Sequence, residues 1–324
     1  MRVLVTGATG FTGGHLARTL RQRGHEVQAL VRDKSRAKSL LAEGIQAVEG
    51  DLADAESLKR ASTGCEVVYH IAAVYREAKH GDDWYRQINV RGTQNVMDAA
   101  QSCGVRRVVH CSTVGVHGEV APPADENAPF APGDIYQQTK LEGEQLVQGY
   151  IDKGVDACIF RPVGIYGPGD LRFLKLFKTI SNGSFRMIGT GKVLYHMTFI
   201  DDLVDGIILC GEHPAARGRT YILSGPRYTP LSELVGQIAQ SLGKPAPKGR
   251  IPLAPVYAAA VACEALCRPL RIEPPLHRRR LDFFIKDRGF SSARARQEIG
   301  FAPRVDLPEG TARTAKWYRE QGLI

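Results

Sequence analysis

Tyr136 and Lys140 stand four residues apart in Tyr136-Gln-Gln-Thr-Lys140, a spacing that puts both side chains on one face of a helix. A phenol with its ordinary pKa of about 10 is a poor base at neutral pH, and a neighbouring ammonium stabilises the phenolate. The pair therefore suits a proton exchanged with a substrate oxygen. Upstream, Val108-Val-His-Cys-Ser112-Thr113 is a β-branched run that ends in two hydroxyls. At the start of the chain Arg2-Val-Leu-Val-Thr6 runs into Gly7-Ala-Thr-Gly10-Phe-Thr-Gly13, and an amphipathic stretch follows at once. Strand, glycine turn and helix come in the order that cradles a dinucleotide. Gly7 allows the tight turn, Gly10 lets the backbone approach the pyrophosphate, and Gly13 lets the helix pack on the strand.

These residues need elements to hold them. Residues 1 to about 160 repeat a β-branched run, a turn and a helical stretch with apolar residues at three- and four-residue spacing. Strands are predicted at Arg2–Thr6, Glu26–Val31, Ala47–Glu49, Val67–Ile71, Arg107–Ser112 and Asp156–Arg161, with a helix from Thr12 to about Arg23 after the first. Such alternation implies right-handed βαβ units and a doubly wound parallel sheet, a Rossmann fold of the α/β class. Beyond Arg161, prolines punctuate shorter elements. A dinucleotide-binding domain is thus placed at 1–165, with some later segments returning to it, and a smaller mixed α/β substrate lobe at 166–324. A length of 324 residues is about two domain units of roughly 150 residues each.

With 43 Lys+Arg against 34 Asp+Glu the chain carries a net +9, which favours anionic partners such as a phosphorylated cofactor, a membrane surface or nucleic acid. No helix-turn-helix or aromatic–basic stripe is evident, so nucleic acid is not expected. The seven cysteines form no Cys-x-x-Cys pair and sit mostly in apolar runs. Neither a metal site nor a disulfide framework is expected. The first strand begins almost at Met1, leaving no room for a secretory signal, and a cytoplasmic address is expected.

The Gly-x-x-Gly-x-x-Gly loop, the Ser112-Thr113 strand end and Tyr136-x-x-x-Lys140 together resemble the short-chain dehydrogenase/reductase superfamily. His70-Ile-Ala72-Ala73, Asn89-Val-Arg-Gly-Thr93 and Arg161-Pro162-Val-Gly-Ile-Tyr-Gly167 resemble its extended branch, the NAD-dependent epimerase/dehydratases, over essentially the whole chain. The resemblance implies a catalytic triad in which Thr113 orients the substrate oxygen, Tyr136 exchanges its proton, and Lys140 poises the tyrosine and bonds the nicotinamide ribose. It implies cofactor contacts from Gly7, Thr9, Gly10, Phe11, Thr12 and Gly13, and from Asp51 and Leu52 at the adenine. Ala72, Ala73 and Ser112 line the cofactor's path, with Pro162 and Val163 beside the nicotinamide. Asn89 reads as a buried satisfier of backbone groups. Helices 86–103 and 134–153 resemble those that pair into a four-helix interface, so a homodimer is expected.

Members that prefer NAD usually end the second strand in an acid that bonds the ribose 2′-hydroxyl, whereas Val31 stands there in Ala29-Leu-Val31-Arg32-Asp33-Lys34-Ser-Arg36. Arg32 suits a 2′-phosphate instead, so NADP is expected, while Asp33 leaves NAD open.

Two readings of the substrate remain. Members resembling UDP-galactose 4-epimerase carry an asparagine and a diphosphate-binding arginine at places that fall here on Gly164 and Tyr195. A buried diphosphate without a paired cation is costly. Tyr195-His196-Met-Thr-Phe-Ile-Asp201, Phe173 and the later Ile251-Pro-Leu-Ala-Pro-Val-Tyr257 resemble the 3β-hydroxysteroid dehydrogenase branch. That implies an NAD(P)-dependent oxidoreductase interconverting a secondary alcohol and a ketone on a sterol-like or β-hydroxy/β-keto small molecule, touched by Val74, Thr113, Phe173 and His196. A nucleotide-sugar 4-epimerase or dehydratase with tightly bound NAD is the alternative.

One further stretch, Leu253 to Cys267, is apolar nearly all round and is followed by Arg268, Arg271, His277 and Arg278–Arg280. It is too short to span a bilayer, which needs roughly 20 residues. Residues 253–280 read either as a peripheral contact with a membrane's inner face, or as a buried lobe helix followed by a solvated or phosphate-facing basic run.

Overall fold

The computed structural model describes residues 1–75, 81–267, 275–276 and 278–324, with backbone alone at 279 and 280. Arg268, Arg271 and His277, and the side chains of Arg279 and Arg280, lie outside the described residues.

The first half alternates as β1 (Arg2–Thr6), α1 (Phe11–Gln22), β2 (Glu26–Val31), α2 (Lys38–Ala42), β3 (Gln46–Glu49), α3 (Ala55–Ser62), β4 (Val67–His70), α4 (Asp82–Arg86), α5 (Gly92–Ser102), β5 (Arg107–Cys111), α6 (Ile135–Asp152) and β6 (Ala157–Pro162). A π-helical turn at Gln87–Arg91 joins α4 to α5 without a break. The second half adds β7 (Gly164–Tyr166), α7 (Leu174–Ser181), β8 (Met187–Ile188), β9 (Leu194–Phe199), α8 (Ile200–Glu212), β10 (Thr220–Leu223), β11 (Tyr228–Pro230), α9 (Leu231–Ser241), β12 (Arg250–Ile251), α10 (Leu253–Cys267), α11 (Arg278–Ile285), α12 (Ala293–Ile299) and α13 (Leu307–Glu320). The predicted strand ends shift by one residue: β3 starts at Gln46, β4 and β5 stop at His70 and Cys111, and β6 runs Ala157–Pro162.

Seven parallel strands form one sheet in the order β10-β6-β5-β4-β1-β2-β3. Side chains alternate across each strand. Val3, Val5, Tyr69, Val109, Cys158 and Phe160 face one core, with α1 and α8. Leu4, Val68, Val108, Ala157 and Ile159 face the other, with α3, α5 and α6. Helices therefore cover both faces, which is why the strands read as near-continuous apolar runs. The strand order reverses between β1 and β4, and a crevice opens at their carboxyl ends, where such sheets bind ligands. Two segments from beyond residue 165 return to this sheet: β10 pairs with β6, and α8 packs against α1, β5 and β6.

Smaller sheets, β11-β9-β7 and β12-β8, lie in the second half with α7, α9, α10, α11 and α13. Of the two readings of 253–267, the buried helix is corrected: within α10 only Ala260 is buried.

Among the described residues the core holds four imidazoles, His70, His110, His117 and His196. Burial lowers the pKa of each below the usual 6.5, to about 3 for His70 and about 4 for His196. An unfolded chain takes up these protons near pH 6.5 while the folded chain takes them up only at lower pH. Stability is thus fully present above that pH and is lost as pH falls below it. Each such imidazole steepens the loss by on the order of 1.4 kcal/mol per pH unit. Urea midpoints should therefore fall steadily from pH 7 to pH 4, and a constant midpoint between pH 7 and pH 5 would contradict this account.

Candidate active site

The glycine loop lies where β1 meets α1. Gly7 has φ +76°, and a Cβ there would sit 2.8 Å from the Ala72 backbone nitrogen. A Cβ on Gly13 would fall 2.3 Å from the Gly7 carbonyl oxygen, so α1 presses directly onto the loop. Gly10 caps α1 without a side-chain hydrogen bond, and no acid occupies the helix's first turn. Its free N–H groups and positive dipole end suit an anion. At the rim, Phe11 carries the Arg172 guanidinium 5.2 Å from its ring centre and the His15 ring at its edge. Arg172, which the sequence did not single out, thus brings the 170–173 segment onto the loop; Arg172 Nε also donates to Asp170 Oδ1 at 2.6 Å.

Behind the loop a buried hydrogen-bond chain crosses the crevice. The Ala72 N–H donates to Thr6 Oγ1 (3.2 Å), and Thr6 Oγ1 donates to His70 Nδ1 (2.8 Å). Thr93 Oγ1 uses its only hydrogen on the Asn89 carbonyl (2.7 Å), so His70 Nε2 must be the donor to Thr93 (3.0 Å). Asn89, on the π-helical turn, accepts from the Val74 N–H (2.8 Å) and donates to the Val74 carbonyl (3.3 Å) and to Thr139 Oγ1 (3.0 Å). Thr139 Oγ1 donates to the Tyr136 carbonyl (3.1 Å). Asn89 is buried and satisfies backbone groups, as its motif implied. Val74 is held beside the cleft by the same contacts.

Asp134 caps α6 by accepting from the Gln137 N–H (2.9 Å) and so fixes the turn that carries Tyr136. Tyr136 is half-buried, with Tyr75 against it edge-on at 4.8 Å between ring centres. Lys140 is buried one turn on, and no described side chain bonds its ammonium. Burial lowers its pKa, opposed by Cys111 and Glu144. The expected lowering of the phenol's pKa by Lys140 is not what the geometry gives. Burial pushes Tyr136 up, and Cys111 and Tyr75 add to the shift. Cys111 bears on both residues and is itself pushed up by burial to about 11.

Thr113 follows β5 and caps a short turn at Val114–His117, its Oγ1 accepting from the Gly115 N–H (3.1 Å). That contact leaves the Thr113 hydroxyl hydrogen for another acceptor. Ser112 Oγ is buried with no partner among the described residues. The orphaned hydroxyl, the open side of Gly10 and the bare helix N-terminus fit a dinucleotide. Pro162 ends β6 and Val163 follows it, Val163 packing with Val114, Ile222 and Phe290. Arg32 is exposed beyond Val31, whereas Asp33 turns onto its own loop and accepts from the Ser35 N–H (2.8 Å). Asp51 Oδ1 accepts from the Ala53 N–H (2.8 Å), and Asn95 fixes the Leu52 carbonyl (2.8 Å), holding that corner beside β3.

The substrate side differs from expectation at His196. Its Nδ1 accepts from the Phe290 N–H (3.3 Å), and Nε2 donates to the Gly225 carbonyl (3.1 Å). With both nitrogens engaged and the ring buried, His196 is a structural residue and not a substrate ligand. Phe173 is half-buried at the start of α7. Tyr195 packs edge-on against Phe283 at 5.1 Å. Under α6 the Arg161 guanidinium pairs with Glu144, bonds His117 Nε2 (2.9 Å) and the Glu126 carbonyl (2.8 Å), and faces Phe130.

The model of the NAD dependent epimerase/dehydratase family matches residues 3–224. The chain is 32% identical over 329 residues to 2-alkyl-3-oxoalkanoate reductase of Stenotrophomonas maltophilia (strain K279a), covering 97% of this chain and 98% of that protein. It is also 32% identical to sterol demethylase protein B of Methylococcus capsulatus, over 100% of both chains. The crystal structure of a double mutant of DesIV, a dTDP-glucose 4,6-dehydratase from Streptomyces venezuelae with NAD bound, matches with a TM-score of 0.79, 25% identity and 100% of both chains covered.

Gly13→Ala places a methyl against the loop backbone, and such overpacking costs about 1–3 kcal/mol. Fluorescence titration with NADPH and NAD should show affinity reduced about tenfold or more. Unchanged affinity would mean that the loop is not the phosphate cradle.

Proposed function

Because the chain belongs to the NAD-dependent epimerase/dehydratase family of NAD(P)-dependent enzymes, we propose that it interconverts a secondary alcohol and a ketone on a fairly hydrophobic substrate of the β-keto or sterol-like class, with NADP preferred. The observation that carries the substrate class is the Tyr195–Phe283 contact. An aromatic pair occupies the place where a nucleotide-sugar enzyme needs a cation, and Phe173 adds apolar surface. Two relatives, a 2-alkyl-3-oxoalkanoate reductase and a sterol demethylase protein, bear names that fit the same class.

The bound nicotinamide supplies or accepts the hydride. Thr113, its Oγ1 already accepting from Gly115, donates its remaining hydrogen to the substrate oxygen and fixes the oxygen's position. Tyr136 donates a proton to that oxygen in reduction and removes one in oxidation. Burial keeps the phenol protonated at neutral pH, which is the form reduction needs. Lys140, on the same face of α6, would bond the cofactor ribose when the dinucleotide is bound.

Arg32, exposed at the end of β2, is assigned to the 2′-phosphate, because Asp33 spends its carboxylate on capping its own turn. A nucleotide-sugar reading has one observation in its favour: the Arg288 guanidinium stands 5.8 Å from the Tyr195 ring centre and offers a cation near the same spot. NAD that survives purification beside a sugar nucleotide, identified by mass spectrometry of the denatured protein, would decide for it.

Tyr136→Phe should lower kcat by about a hundredfold or more and leave NADPH affinity nearly intact; retained turnover would remove Tyr136 from the mechanism. In the wild-type protein the oxidation rate should climb with pH beyond neutrality, because the raised phenol must lose its proton first, while reduction stays level around pH 7. For Arg32→Asp, the ratio of kcat/KM for NADPH over NADH should drop about tenfold or more, and an unaltered ratio would place 2′-phosphate recognition elsewhere.

A further inference from the structure

A surface helix ordinarily turns its apolar residues inward and its polar ones to water. Helix α10 does not. Its inner side consists of Leu253, Val256, Ala260, Cys263, Glu264 and Cys267, of which Ala260 is buried and the others half-buried. Its outer side is Ala254, Pro255, Tyr257, Ala258, Ala259, Val261, Ala262, Ala265 and Leu266, all exposed and none charged. Leu266 is 71% exposed, Val261 41% and Tyr257 40%. The only ionisable acid of the helix, Glu264, is turned inward, where it accepts from the Arg278 backbone N–H (2.6 Å) and Nε (2.8 Å).

The surroundings carry one sign of charge. Between positions 244 and 280 the sequence holds eight Lys and Arg against two Glu, so most of the chain's net +9 falls in this stretch. Lys244, Lys248 and Arg250 are exposed just before the helix, and Arg278 lies beyond it. A second copy of the chain placed here would bring the same basic stretch against itself, which charge repulsion disfavours. Nucleic acid would meet the charge but has no use for an uncharged apolar face. An anionic lipid surface answers both features. Fifteen residues make a rod of about 22 Å, shorter than the roughly 30 Å hydrocarbon core, and no described helix is long and apolar enough to cross a membrane.

We propose that α10 lies flat in the interface of an anionic membrane, its Tyr257–Val261–Leu266 side among the acyl chains and the flanking Lys and Arg on the head groups. The helix packs on α11, and Asp282 of α11, with Lys286 and Phe290 just after it, lines a small cavity shared with Gly115 and Gln137, neighbours of Thr113 and Tyr136. A bilayer-docked α10 thus sets the substrate cleft close to where an apolar ketone partitions. That last consequence rests on the proposed substrate class, whereas the lipid contact does not.

The test is flotation of the full chain with vesicles of phosphatidylcholine alone or mixed with phosphatidylglycerol, which reads lipid binding without turnover. The protein should float with the anionic vesicles, little with the neutral ones, and less as salt rises. Val261→Asp with Leu266→Asp should reduce flotation about tenfold or more, with an unchanged circular dichroism spectrum. Should that pair misfold, Lys248→Glu with Arg250→Glu should abolish the preference for anionic vesicles. The proposal fails if the wild-type protein does not float with anionic vesicles. It fails equally if folded Asp variants float like wild type, or if they turn a dimer into a monomer on size exclusion while flotation is absent throughout.

Discussion

The arrangement of the site depends on a buried line of hydrogen bonds whose donors and acceptors are all assigned. It starts at the Ala72 N–H, passes through Thr6, His70, Thr93 and Asn89, and ends at Thr139 and the Tyr136 carbonyl. It therefore ties the strand before the glycine loop to the helix that carries Tyr136 and Lys140. A buried polar group left without a partner costs about 1–3 kcal/mol, so no member can shift alone. Neutral His70 is essential to this geometry, since a doubly protonated ring has no acceptor for the Thr6 hydroxyl. The depressed pKa of the ring and the spacing of the cleft are two expressions of one constraint.

Much of this was legible in the sequence wherever a short-range rule governs it. The alternation of β-branched runs with helical spacing gave the seven-stranded architecture except its last strand, and glycine spacing located the tight turn on which α1 packs. Thr113 and Tyr136 lie at the ends of the elements expected to hold them, with Lys140 one turn further along α6. What could not be read was long-range. Nothing near residue 172 announces that its guanidinium will reach Phe11, and nothing near Thr6 announces a partner 64 positions away. His196 misled for the same reason, since its two backbone partners, Gly225 and Phe290, come from segments far along the chain.

The tyrosine's protonation shows how burial can override a local rule. The four-residue spacing of Tyr136 and Lys140 suggests an ammonium that stabilises a phenolate. The fold buries Lys140 and half-buries Tyr136, and the loss of solvation acts on each in the direction of its neutral form. Nearby, the Arg161–Glu144 pair stands deep beneath α6 and anchors that helix to β6 without touching the crevice.

The placement of β10 reaches beyond this one enzyme. The outermost parallel strand comes from deep in the second half of the chain, and α8, which packs on β5 and β6, comes just before it. The second half of the chain is thus threaded through the sheet that the first half builds. A single crossover after Val163 between two relatives would pair β6 of one parent with β10 of the other, or leave that sheet edge bare. Recombining specificity in this fold calls for trading the lobe in separate pieces, with 200–223 kept beside the sheet on which they rest.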